Sequence, residues 1–233
     1  MGLSRRTLLA SGLASMAGLA AGDEPAAGGG AFPIQGVDVS RWQRDVDFGK
    51  VAAAGIEFCF CKATEGLTHV DARFAANWPA IAAAGLIRGA YHFGRPGSDA
   101  ADQADFVFDT VRPVAGDLPL VLDLEKDDGL KPADVRVWTE AFVARIRERM
   151  GTPPIIYTGL YFWRDEAGDG PALDCPLWLA AYVDDPEKYV PKAWERWSFW
   201  QYTSKGSVPG VRGNVDRDAW HGDRASLNAL RIA

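Results

Sequence analysis

"PLVLDLEKDD", residues Pro119–Asp128, runs from apolar residues straight into two carboxylates, Asp123 and Glu125, with one leucine between them. Residues i and i+2 of a strand project to the same side, so the two Cα atoms are expected roughly 6.6 Å apart. Like charges that close raise each other's proton affinity, which is costly at a buried strand end unless that end faces a site that uses the proton. The same cadence recurs on both sides of this stretch. "IQGVDVS" (Ile34–Ser40) precedes a helical "DFGKVAAAG", "EFCFCKATEG" (Glu57–Gly66) precedes "DARFAANWPAIAAAG", and "LIRGAYHF" (Leu86–Phe93) precedes "DAADQADFVFDTV". The acidic strand itself is followed by "PADVRVWTEAFVARIRERMG", in which Val135, Trp138, Phe142, Val143 and Ile146 keep a helical period up to Gly151. A fifth strand, "PIIYTG" (Pro154–Gly159), leads into a short segment around Tyr161–Glu166. Three further strand-like runs, "PLWLAAYV" (Pro176–Val183), "WSFWQYTS" (Trp197–Ser204) and "GNVDRDAW" (Gly213–Trp220), follow with little helix between them.

Eight strands, with helices concentrated after the first five, predict an α/β fold: a single TIM-like barrel rather than a doubly wound sheet. No glycine-rich dinucleotide fingerprint follows the first strand. In such a barrel the functional groups lie where the strands end. Those ends deliver Asp38, then Lys62 and Glu65, then Tyr91 and His92, then Asp123 and Glu125, then Tyr157, Tyr182, Trp200 with Gln201 and Tyr202, and Asp216. Carboxylates converging with aromatic surface are what glycoside hydrolysis needs: an acid for the leaving oxygen, an anion for an oxocarbenium-like transition state, and flat rings on which sugars stack. The chain has nine Trp and six Tyr, of which Trp42, Tyr161 and Trp178 are also expected near the rim. Taken singly, any of these aromatics is as readily explained as core packing. The spacing of the pair falls between the ranges of retaining and inverting enzymes and leaves the stereochemistry open.

The motifs "GVDVSRWQ", "FCKATEG", "GAYHF", "LVLDLE", "IIYTG", "LWLAAY", "WQYTSKGSVPGV" and "VDRDAW" occur in the order seen in glycoside hydrolase family 25, and the chain resembles that family over residues 34–220. The resemblance implies a flattened (β/α)5β3 barrel and a lysozyme (N-acetylmuramidase) that cleaves the β-1,4 bond between N-acetylmuramic acid and N-acetylglucosamine in peptidoglycan. It assigns Glu125 as general acid/base and Asp123 as the group that orients the substrate's 2-acetamido arm in a retaining, substrate-assisted reaction. Asp38 and Asp216 complete an acidic floor. Tyr157, Tyr182, Tyr91, His92, Lys62, Glu65, Trp200 and Gln201 are expected to line the substrate groove. On this reading the repulsion within the pair helps keep a proton on Glu125. One departure is Asp218, where the family pattern usually has Asn two residues after the last aspartate.

Other chemistries find less support in the residues. A chitinase-like glycosidase of family 18 also ends its fourth strand in Asp-x-Glu, but it carries a further aspartate two residues upstream, where this chain has Val121. A non-catalytic glycan-binding barrel is the alternative from another class, and the intact acidic quartet weighs against it. There is no Gly-x-Ser-x-Gly elbow, and His69, His92 and His221 are scattered without a His-Glu-x-x-His pair, so neither a metal nor a cofactor is expected. A net charge of −6 argues against a nucleic-acid partner. Three cysteines exclude a full disulfide framework; Cys59 and Cys61 share one strand face as buried thiols, with a bridge to Cys175 the alternative.

The N-terminus reads as an address. "MGLSRRTLLASGLASMAGLAAG" places Arg5 and Arg6 before an apolar stretch of about a dozen residues, short of the roughly 20 that span a bilayer. Residues 1–22 are expected to be a twin-arginine-type export signal, 23–31 a flexible leader, and 32–233 the catalytic barrel. The expected product is a periplasmic or secreted monomer with no stable membrane anchor once the signal is removed.

Overall fold

The computed structural model describes residues 32–233. The export signal and leader expected at 1–31 lie outside the described residues. Strands β1 (Gln35–Val39), β2 (Ile56–Glu65), β3 (His69–Val70), β4 (Ile87–Phe93), β5 (Val121–Asp123), β6 (Ile155–Thr158), β7 (Leu177–Ala180), β8 (Phe199–Gly206) and β9 (Val215–Trp220) form one sheet. Pairing of β1 with both β2 and β9 closes it into an eight-stranded barrel, with the two-residue β3 attached to the edge of β2. Helices α1 (Phe48–Ala53), α2 (Phe74–Ala83), α3 (Ala100–Val111) and α4 (Pro132–Met150) follow β1, the β2–β3 hairpin, β4 and β5. After β6 there is only a five-residue π-helical turn, Phe162–Glu166, and α5 (Arg224–Ala229) follows β9. The expected α/β barrel with its helices on the first half is therefore what the chain forms. Among the described residues no helix is long and apolar enough to cross a membrane.

Strand direction differs from expectation at one place. Apart from the β2–β3 hairpin, the barrel pairs β1–β2, β2–β4, β4–β5, β5–β6, β6–β7 and β7–β8 are parallel, but β9 runs antiparallel to both β1 and β8. Asp216 thus sits at the start of the last strand and not at its end; a reversed strand brings its N-terminal residues to the rim where the parallel strands finish.

The pleat divides the core in two. Phe58, Phe60, Val121, Ile155, Trp178, Phe199 and Trp220 fill the barrel interior, with Tyr91 and Tyr157 packed on them. Their neighbours Val37, Cys59, Cys61, Ala90, Leu122 and Ile156 face the helices. Helix α4 buries all five of the residues whose period predicted it. The three cysteines are free thiols: Cys59 and Cys61 share the outer face, and Cys175 makes no bridge to either.

Two glycines decide how tightly the interior packs. A Cβ on Gly36 would lie 2.2 Å from the Phe58 ring, and one on Gly89 would lie 2.4 Å from the Phe60 ring. Both aromatic rings therefore occupy space that any other residue on the facing strand would take. Phe60 in turn stacks on Trp178 with ring centroids 4.3 Å apart, which makes the barrel a packed core and not a pore.

Candidate active site

The rim above this aromatic plug is acidic. Asp38 of β1 and Asp123 of β5 are each 6% exposed, and Asp218 of β9 is fully buried. Asp38 lies directly opposite Asp216 in the antiparallel β1–β9 register, so two like charges face each other across the ladder. Burial raises the Asp38 carboxyl well above its ordinary range, and Asp216 and Asp218 push it further. Asp216 itself is pushed up to about 6, chiefly by desolvation, with Glu125 adding to the effect.

The Asp123–Glu125 pair is asymmetric. Asp123 holds a buried Oδ1 with no hydrogen-bond partner, and burial first, then Glu125, raises its carboxyl well above the usual value. Glu125, just past the strand, is open to the groove. Its carboxyl is raised by desolvation, against the opposing pull of Lys126 and Lys62. The repulsion expected to hold a proton on Glu125 thus acts on Asp123, because the more deeply buried member of a pair loses more solvation on ionising.

Gln201 ties the floor together. Its Nε2 donates to Asp38 Oδ2 at 2.7 Å, and its Oε1 accepts from the hydroxyls of Tyr157 and Tyr182, each at 2.9 Å. Tyr157 also packs edge-on to Trp178, whose indole N–H donates to Asp218 Oδ1 at 2.9 Å. Asp218 is therefore a neighbour of the floor, inside the barrel. Tyr91 has the same inward orientation and lies within the field of Asp38, Asp123 and Asp216.

Lys62 and Glu65 bind each other at 2.7 Å. Burial opposes the charge on Glu65, but Lys62 and Arg95 outweigh it and hold its carboxyl below the ordinary value. Arg95 reaches on to Asp128, beyond Glu125, so an alternating chain of charges fastens the loops after β2, β4 and β5. Its link to the floor is electrostatic: Lys62 pulls both Asp123 and Glu125 toward ionisation.

Two expected groove residues do not reach it. His92 is fully buried on the helix side of β4, where Nε2–H donates to Gln103 Oε1 at 3.0 Å and Nδ1 accepts from Thr64 Oγ1 at 2.8 Å. Burial holds it neutral, pushed down to about 4. Trp200 points out of the barrel, packs on Trp197 and Tyr202, and gives its N–H to Ala181 O at 2.6 Å. Each is one residue out of phase with a rim residue, Tyr91 and Gln201, and the pleat sends it to the opposite face. Tyr202 and Trp178 are likewise buried, whereas Trp42, Tyr161 and Tyr182 stand exposed at the rim.

Residues not singled out from the sequence support this frame. Gln103 accepts from Arg95 N and donates to Arg95 O, fixing the loop after β4. Asp71, only 2% exposed, accepts from the backbone N–H groups of Arg41 and Arg73 and so pins the loop after β1 to the β2–β3 hairpin. An Asp two residues before Arg73 is an ordinary turn signal, and nothing in the sequence reveals its reach to Arg41.

A carboxyl open to solvent, a buried carboxyl partner beside it and an aromatic-lined acidic floor match the chemistry expected of a glycosidase. The sequence profile of glycosyl hydrolases family 25 matches residues 37–211. The chain belongs to this family. It is 40% identical over 210 residues to lysozyme M1 of Streptomyces globisporus, covering 84% of this chain and 71% of that one. It is 33% identical over 202 residues to the N,O-diacetylmuramidase of Chalaropsis sp, covering 78% and 96%. Among solved structures, the bacterial lysozyme of Streptomyces coelicolor superposes with a TM-score of 0.81 at 38% identity, over 86% of this chain and 97% of that one. As a family 25 protein it is a glycoside hydrolase, and its barrel is that of the family's lysozymes.

Proposed function

We propose that this family 25 hydrolase is an N-acetylmuramidase that hydrolyses the β-1,4 bond between N-acetylmuramic acid and N-acetylglucosamine in peptidoglycan, acting in cell-wall catabolism or remodelling. The observation that carries the reading is the asymmetric pair: Glu125 open to the groove and Asp123 buried behind it. The pair shares a proton. When a glycan enters, its 2-acetamido N–H donates to Asp123, stabilises that carboxylate and transfers the proton preference to Glu125. Glu125 then protonates the leaving glycosidic oxygen as the acetamido oxygen attacks the anomeric carbon and the glycosidic bond breaks. The cyclic intermediate is opened by a water whose proton returns to Glu125, so the configuration is retained over two displacements. Asp216, and Asp38 when it is ionised, supply negative potential beneath the positive charge that develops in both transition states.

In this reading Tyr157, Tyr182 and Tyr91 contact the central sugar, while Lys62 and Glu65 hold the groove wall. The protein is exported through the signal at residues 1–22 and works outside the cytoplasm as a monomer without a stable membrane anchor. The test is mass spectrometry of soluble products from purified peptidoglycan, with a Glu125→Gln variant and a chitin oligomer as controls. Muropeptides with reducing N-acetylmuramic acid ends, absent with the variant, are the expected result. Products from the chitin oligomer alone would overturn the substrate assignment.

A further inference from the structure

Gln201 offers more than packing. Its carboxamide is buried, only 4% exposed, and links three groups from separate parts of the chain: Asp38 of β1, Tyr157 of β6 and Tyr182 just beyond β7. A carboxamide is planar, with a double acceptor at one end and two donors at the other, and a half-turn exchanges the ends without moving a heavy atom.

The protonation state of Asp38 decides which end it meets. An ionised Asp38 accepts only, so it takes an N–H from Nε2. The amide oxygen then receives both tyrosine O–H groups, as the distances of 2.7, 2.9 and 2.9 Å describe. Each phenol has used its single proton, and Tyr182 also bonds the Ser204 side chain, so only lone pairs remain toward the groove. A protonated Asp38 instead donates its O–H to the amide oxygen. The two N–H groups then meet the two phenolic oxygens, one each, which frees the Tyr157 proton for the groove and leaves the Tyr182 proton to the groove or to its neighbour Ser204. In the first arrangement one Nε2 N–H is left over and both phenol protons are used; in the second both N–H groups are used and the phenol protons are left over.

We propose that Gln201 is a positioning residue that couples protonation of Asp38 to the hydrogen-bonding polarity of Tyr157 and Tyr182, switching the two phenols together between acceptors and donors toward the bound ligand. With Asp38 ionised the pair receives N–H or O–H groups of a glycan; with Asp38 protonated it donates to a carbonyl oxygen such as that of an acetamido arm. The identity of the ligand rests on the muramidase reading, but the relay itself does not.

Titratable groups surround this carboxyl on every side. Asp38 is faced by Asp216 and Asp218 from β9, by Asp123 from β5, and by Tyr91, Tyr157 and Tyr182 from the other walls, with the Cys59 thiol behind it on β2. The rim cation Lys62 acts on the neighbouring Asp123 and Glu125. Burial and the facing carboxylates together favour the protonated form of Asp38.

The test is a pH titration of the protein by NMR, with 15N-labelled glutamine side chains and 13C-labelled aspartate carboxyls, for wild type and Asp38→Asn. The Gln201 carboxamide resonances are expected to move with the same midpoint as the Asp38 carboxyl and to stay fixed in Asp38→Asn. A Gln201 amide that does not respond while Asp38 titrates overturns the relay. A second measurement follows the pH dependence of KM and kcat separately on muropeptide oligosaccharides. Tyr157→Phe combined with Tyr182→Phe is expected to remove the Asp38-dependent limb from KM, and an unchanged limb in that double variant would overturn the claim that the phenols carry the signal to the ligand. If the amide tracks Asp38 but no glycan is cleaved, the muramidase reading fails and the relay stands. If glycans are cleaved and the amide is silent, the reverse holds.

Discussion

Asp123 and Glu125 stand two residues apart at the end of β5 yet differ in solvation: the first is 6% exposed with one oxygen unpartnered, and the second opens onto the groove. Division of labour between two identical functional groups follows from that difference alone, since solvation decides which one holds a shared proton and which one can pass it on.

Glu125→Gln is therefore expected to lower kcat on peptidoglycan by about 10²–10⁴-fold, the usual worth of a positioned acid/base. An exposed side chain of unchanged shape leaves the fold alone, so the melting free energy should stay within about 0.5 kcal/mol. Asp123→Asn should slow turnover sharply as well. Turbidity clearance of cell-wall suspensions beside thermal melts reads both quantities, and undiminished clearance by Glu125→Gln would rule out its assigned role.

The acidic floor makes stability depend on pH in a defined direction. Asp216, pushed up to about 6, binds its proton more tightly folded than unfolded. Its contribution is fully present below the unfolded value near 4 and is lost as pH rises through about 6, a span on the order of 3 kcal/mol before solvent screening is discounted. His92, pushed down to about 4, acts oppositely: its contribution is present above the unfolded value near 6.5 and is lost as pH falls toward 4. Comparing Asp216→Asn with wild type cancels the histidine. The variant should gain in Tm relative to wild type at pH 7.5 and lose that advantage by pH 4.5. A difference that is constant across this range would contradict the assignment.

Trp200 separates packing from binding. It is fully buried against Trp197 and Tyr202. Trp200→Ala should cost about 3–5 kcal/mol of stability, while KM in the folded fraction stays close to wild type. Tyr182→Phe, which removes a rim hydroxyl, should do the opposite: a small change in Tm and a changed KM. Denaturant melts with steady-state kinetics distinguish the two patterns.

Gly36 tests the packed interior. Adding a methyl group 2.2 Å from the Phe58 ring forces the ring or the strand to move. Gly36→Ala is expected to destabilise by about 1–3 kcal/mol or more. Removing the clash with Phe58→Leu in the same chain should restore part of that loss, which a double-mutant cycle of urea melts would measure. Strict additivity of the two changes would exclude the clash as the cause.

The order of strands and helices, and the acids at the rim, were legible because each β-α repeat announces where a parallel strand ends. What the sequence concealed was the phase of the pleat. In a barrel wall covered by helices both faces of a strand are apolar, so the alternation that marks inside from outside is weak. Ala90, Tyr91 and His92 give no sign that only the middle one turns inward, and Trp200 beside Gln201 misleads for the same reason. Direction was equally hidden at β9: an antiparallel strand needs only a short connection from β8, and "SVPGVRGN" between Ser207 and Asn214 is polar and glycine-rich like the loops elsewhere.

The reversal of β9 ties the site to chain completion. Asp38 and Asp216 face one another only when the last strand has zipped onto the first, although they come from the two ends of the barrel sequence. A chain still emerging from the ribosome has Asp123 and Glu125 in place long before Asp216 and Asp218 arrive, so its floor lacks half its carboxylates and its barrel has an open seam. The complete acidic floor therefore exists only where the first and last strands are paired, and a chain without β9 lacks Asp216 and Asp218 altogether.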